Sequence, residues 1–189
     1  MLGGLVQRRT NQDLTVEWAQ TSIDGLRFAR ERPGSGYRHL ARRADVERFV
    51  RLLPQWDELS VGLDAVVLAA GEPNLYGYFR AGIVAICAWP KEPIEFWPTA
   101  FLDEHASLLP HLDVELEEID EDGAIVRFTE ASALAFQLMH VLLHELGHHH
   151  DRMTTASKRS PARGEPFANT YAFEHAEKLW DAYYREFPY

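Results

Sequence analysis

Residues 129–153, TEASALAFQLMHVLLHELGHHHDRM, constrain this chain more than any other segment. Thr129 and Ser132 offer side-chain oxygens that can cap a helix start. Ala133, Leu134, Phe136, Leu138, Met139, Val141, Leu142 and Leu143 then supply an apolar body. The pattern predicts one long helix over 130–153, and a helix this apolar needs partners to cover it.

The second half of that helix carries His144-Glu145-Leu146-Gly147-His148, an HExxH pattern. Residues four apart on an α-helix differ by about 40° in azimuth, so His144 and His148 project from one face and can share a tetrahedral metal. Glu145 lies about 100° round from His144, a poor direction for a ligand. It suits a carboxylate that takes a proton from an activated water. Gly147 costs a helix roughly 1 kcal/mol, which implies close backbone approach by something else.

A catalytic zinc wants a third protein ligand and an open position. Glu165, at the start of a second helical segment, is the candidate, with Asn169 one turn on as an orienter of a ligand imidazole. His140, His144, His148 and Asp151 follow one helical face, so His140 and Asp151 are further candidates for supporting the ligands. His149 and His150 point away from that face and are expected on the solvent side. His175, Glu174, Glu177 and the strand tyrosines Tyr76 and Tyr78 are alternatives whose plain reading is surface or packing.

HELGH followed by the Glu-x-x-Ala of Glu165 to Ala168 resembles the gluzincins, and within them the ImmA/IrrE-like minimal metallopeptidases. The resemblance spans about residues 130–175 and rests mainly on HExxH. It implies a zincin-like domain, a Zn2+ ion held by His144, His148 and Glu165, Glu145 as the catalytic base, and a peptide or protein substrate. Asn169 stands where thermolysin-like members place an Asp.

Before that helix, residues 44–53 carry Val46, Phe49, Val50 and Leu53 at helical spacing, with Pro54 as a stop. Residues 14–18 and 25–29 read as a first hairpin. Residues 66–68, 76–79, 83–89 and 94–97 read as strands, the run 83–89 being apolar enough to lie inside a sheet or under helices. If it bordered a cleft, its backbone could pair with an extended peptide. A helix over 99–109, a hairpin of 114–119 with 124–128 and a polar loop over 154–164 complete the expectation. The fold class is α+β: one domain over 1–189, in which residues 1–129 give mainly a twisted mixed sheet. That sheet packs against the 130–153 helix and a C-terminal helix over 165–187.

The formal charge of −10 disfavours a nucleic-acid surface. Residues 1–51 hold ten Arg against six acids, best read as a solvated helix face. Cys87 is the only cysteine, so no internal disulfide can form, and it sits in an apolar run as a buried thiol. No stretch has membrane-spanning length, so no membrane partner and a cytoplasmic setting are expected. Two other functions stay open: a regulatory or binding module with a structural metal, and a metal hydrolase of a non-peptide amide.

Overall fold

Short apolar runs punctuated by Gly and Pro build much of the first two-thirds of the chain, and in a computed structural model the described residues form three sheets rather than the single one expected. The structure describes residues 22–23, 26–119, 121–155 and 162–188. In chain order the elements are β1 (Ser22–Ile23), β2 (Leu26–Arg30), β3 (Tyr37–Arg38), α1 (Arg43–Val50), α2 (Trp56–Leu59), β4 (Ala65–Ala69), β5 (Gly77–Arg80) and β6 (Ile83–Cys87). Then come β7 (Trp89–Pro90), β8 (Ile94–Pro98), α3 (Thr99–Glu104), α4 (Leu109–Leu112), β9 (Glu115–Ile119) and β10 (Gly123–Arg127). The chain finishes with α5 (Glu130–Phe136), a π-helical stretch (Gln137–Leu142), α6 (Leu143–Thr154) and α7 (Glu165–Glu186). The molecule is a mixed α+β fold.

The main sheet runs β1-β2-β4-β6-β5, with β2, β4 and β6 parallel and the two outer strands antiparallel to their neighbours. Strand alternation divides its faces. Val66 and Leu68 of β4 and Val84 and Ile86 of β6 join the large core under the helices. Ala65, Val67, Ala69, Ala85 and Cys87 form a smaller cluster on the other face. The 83–89 run therefore lies inside the sheet as β6, paired on both sides, and cannot take an added strand. The second sheet is β8-β10-β9, in which the expected hairpin forms with a bulge between Ala124 and Ile125.

The first arm of the N-terminal hairpin, 14–18, lies outside the described residues; the second arm lies largely in β2, which pairs with β1 and β4. One further expectation changes. The single helix over 99–109 is two, because the chain turns at 105–108 and restarts with Pro110 in the first turn of α4, a position where its missing N–H costs nothing.

The α5–π–α6 helix is the centre of the fold, and every residue from 135 to 149 is buried. Thr129 and Ser132 cap it reciprocally, Ser132 N–H donating to Thr129 Oγ1 at 3.0 Å and Thr129 N–H to Ser132 Oγ at 2.8 Å. The Gln137 amide donates to the Cys87 carbonyl at 2.8 Å and ties the π-helical turn to β6. The arginines of α1 are engaged with acids, Arg43 with Glu47 and Arg48 with Glu186. Among the described residues no helix is long and apolar enough to cross a membrane.

Candidate metal centre

Two glycines let neighbouring backbone reach the HExxH helix. A β-carbon at Gly147 would stand 3.0 Å from Ala168 Cα and 3.1 Å from Tyr171 Cβ, so the bare Cα is what allows α7 to cross α6 here. That is the close approach the helical glycine implied. On the sheet side, a β-carbon at Gly77 would meet Val141 Cγ1 at 2.6 Å and the Ala85 carbonyl at 2.7 Å, with Glu145 Cγ at 3.2 Å. The helix is held between β5 and α7 with little slack.

That grip brings three ligand atoms together. His144 Nε2 lies 3.1 Å from one Glu165 carboxylate oxygen, and His148 Nε2 lies 3.4 Å from the other. The three donor atoms all fall within 4.8 Å of one another, a grouping able to hold a metal ion. Ligand atoms at zinc bond lengths on a tetrahedron are separated by about 3.3 Å, close to both His–Glu spacings. In the present arrangement imidazole N–H groups hydrogen-bond to Glu165, His144 first and His148 next, and hold its carboxyl well below the usual range. A divalent cation would take the place of those protons.

The surroundings are uneven in exposure. His144 and His148 are 5% and 8% exposed and Glu145 is 3% exposed, whereas the Glu165 side chain is 47% exposed. Two of the three candidate ligands are thus buried, and the third reaches solvent. Burial, and then the Glu165 charge, push the Glu145 carboxyl well above its ordinary value. Phe79 stacks over His148, with centroids 6.4 Å apart, and fixes that ring from the sheet side.

The other candidates take different places. Asn169 donates to Glu104 of α3 and supports no imidazole. The Nδ1 atoms of His144 and His148 are buried without a partner. Asp151 is fully buried, yet its carboxylate binds the Arg163–Gly164 segment rather than a ligand ring. Burial opposes its charge, but the Arg163 guanidinium and the backbone N–H groups of Arg163 and Gly164 outweigh that and keep its pKa below the ordinary range.

His140 is buried beside His144, with its Nε2 at 2.8 Å from His105 Nε2. His105 Nδ1 donates to the Phe101 carbonyl at 2.8 Å, so in the neutral pair His105 Nε2 accepts and His140 Nε2 donates. Burial lowers the His105 pKa to about 4. His149 is a correction: it is fully buried, its Nε2 donating to the Val61 carbonyl at 3.1 Å, because the helix has no solvent face at that point. His150 is half-buried against Tyr171. His175 stacks on Tyr171 and donates through Nδ1 to its carbonyl, while Glu174 and Glu177 are exposed.

Neither strand tyrosine offers a free phenol to the cluster. Tyr76 is stacked on Trp89 and accepts from Trp97 Nε1 at 3.2 Å, and Tyr78 packs on the opposite face of the sheet. Gly77, Phe79, His105 and Gln137 were not singled out from the sequence. Only Gly77, a glycine inside an aromatic strand, carried a signal that could have found it. Comparison with protein-family models, curated proteins and solved structures gives no match to this chain.

Proposed function

We propose that this chain is a zinc-dependent metallopeptidase of zincin-like, gluzincin type. The observation that carries the reading is the convergence of His144 Nε2, His148 Nε2 and the Glu165 carboxylate beside a buried Glu145. Two imidazole nitrogens and one carboxylate make a donor set suited to zinc, which these three residues would hold. When bound, the metal supplies Lewis acidity, bringing a water towards neutral pKa and polarising a carbonyl.

The protein's own part is proton transfer. Glu145, its proton affinity raised by burial, takes a proton from the attacking water and returns it to the leaving amine. Three ligands favour catalysis over a structural site, which takes four. The residues that could close a fourth position are otherwise engaged, His140 with His105, Asp151 with Arg163 and His175 with Tyr171. A peptide substrate is favoured over a smaller amide because β5, the strand against Glu145, is an edge of the main sheet, and sheet edges bind extended chains.

The test is hydrolysis of a panel of unstructured proteins by wild type and Glu145→Gln, with zinc measured in both. Glu145→Gln should keep its zinc and lose about 10²–10⁴-fold in rate. Equal cleavage by the two proteins, or none by zinc-loaded wild type, would reject the proposal.

A further inference from the structure

Glu165 is the first residue of α7, so its aim depends on the turn that delivers it. Two features fix that turn, and both lie outside the ligand set. The first is Asp151, one turn beyond His148 on α6. Its carboxylate accepts from Arg163 N–H at 2.7 Å, from Gly164 N–H at 3.1 Å and from Arg163 Nε at 2.8 Å. Arg163 also donates to Thr154 Oγ1 at 2.5 Å and lies over the Phe167 ring, 3.6 Å from its centroid.

The second is Gly164, with φ +71° and ψ −155°, a conformation essentially confined to glycine. Among the described residues, no atom beyond its chain neighbours lies within 4 Å of where its β-carbon would stand, so the glycine answers to backbone direction. Gly164 caps α7 with no side-chain hydrogen bond of its own. The Asp151 carboxylate serves instead, reaching across from α6 to the positive end of α7. An acid in the last turns of α6 faces the negative end of that helix, so its position works against α6 alone. What it secures is the junction between the His-bearing helix and the Glu-bearing helix.

We infer that Asp151 is a positioning residue for the metal centre: it fixes the 163–164 turn so that Glu165 meets His144 and His148. The inference rests on the metal-binding reading above, and deepens it by making affinity for the ion depend on a carboxylate that does not touch it. Residues that orient metal ligands typically contribute about 10–100-fold to metal affinity.

The experiment measures Zn2+ affinity by competition with a chromogenic chelator, together with the visible spectrum of the Co2+-loaded protein. The proteins compared are wild type, Asp151→Ala, Asp151→Asn and Gly164→Ala, with thermal unfolding of each. Asp151→Ala should bind Zn2+ about 10–100-fold more weakly, and Asp151→Asn and Gly164→Ala at least about fivefold more weakly. The Co2+ bands should change in all three as the carboxylate ligand loosens. A role confined to folding would lower the unfolding temperature and leave affinity and spectrum unchanged, and that result overturns the inference. Should Asp151→Ala fail to fold, Asp151→Asn and Gly164→Ala decide by the same readouts. If wild type itself binds Zn2+ no better than His144→Ala does, the metal-centre reading fails first, an outcome distinct from failure of the Asp151 role.

Discussion

Replacing Gly77 by Ala puts one methyl group into the contact between β5 and the HExxH helix. The new carbon would lie about 0.8 Å inside ordinary contact with Val141 Cγ1 and about 0.7 Å inside it with the Ala85 carbonyl. Neither neighbour can swing clear: Val141 is buried within the π-helical turn, and Ala85 is central in β6. Overpacking of this kind costs about 1–3 kcal/mol. Removing glycine's extra freedom from a strand returns about 0.5–1 kcal/mol. With two contacts this short the overpacking cost lies in the upper half of its range, and the net loss of about 1–2.5 kcal/mol lowers the unfolding temperature by roughly 2–10 °C for a domain of this size. Glu145 Cγ, at 3.2 Å, is the softest of the three contacts and moves first. On the proposed reading, hydrolysis should therefore fall more than zinc content does, since His144 and His148 project from another azimuth of the helix. Thermal unfolding by circular dichroism, with zinc assay and cleavage rate on the same samples, reads all three. An unchanged or raised unfolding temperature would refute the close approach of β5 to the HExxH helix.

Glu165→Ala should lose bound zinc while remaining folded, because the side chain is half exposed and its charge is held by the two imidazoles alone; full zinc occupancy in a metal-binding assay would remove it as a ligand. His149→Ala should destabilise by about 1–3 kcal/mol, chiefly by emptying the site of a fully buried ring that is hydrogen-bonded to the Val61 carbonyl, and should bind zinc as wild type does; a denaturation midpoint within error of wild type would contradict its burial. In the metal-free protein His105 has a folded pKa lowered from 6.5 to about 4, so the unfolded chain takes up protons first. Stability from the neutral ring is complete above about pH 6.5 and lost as pH falls towards 4, an effect of about 3 kcal/mol that Glu145, shifted the other way, partly offsets. Urea midpoints that do not fall between pH 7 and 4.5 would count against the His105–His140 pair.

What the sequence made legible was local or set by helical period. The Thr129 and Ser132 cap, the shared face of His144 and His148, and the start of a helix at Glu165 all depend on neighbours within a turn or two. What it concealed depends on partners far along the chain. His149 is buried because the 61–63 turn lies over a helix already covered by β5 and α7, and nothing near residue 149 announces Val61. Asn169 turns to Glu104 because α3 ends beside α7, a proximity fixed by tertiary packing. Asp151 was expected to steady an imidazole and instead binds a backbone turn twelve residues later. In each case a polar group satisfied its strongest available hydrogen bond, and which bond was available was decided by packing.

Gly77 and Gly147 lie on opposite sides of the HExxH helix. Gly147→Ala alone crowds Ala168 and Tyr171 at 3.0–3.2 Å, and because the Ala168 contacts are backbone, α7 must back away by a few tenths of an ångström. The gain of about 1 kcal/mol from replacing glycine in a helix offsets that crowding, so the single change should stay within about 1 kcal/mol of wild type. Gly77→Ala presses the same helix from the opposite side, towards α7. In the double variant the helix cannot retreat from β5 without closing on a gap that Gly147→Ala has already filled. The combined loss should therefore exceed the separate losses added together by about 0.5–3 kcal/mol, the range of coupling between residues that share a backbone shift. Zinc affinity should fall further too, because α7 carries Glu165 with it. Additivity within about 0.5 kcal/mol in the four-protein cycle would mean that the two faces relax independently, and that the spacing of Glu165 from the imidazoles is not set by the helix being clamped between sheet and α7.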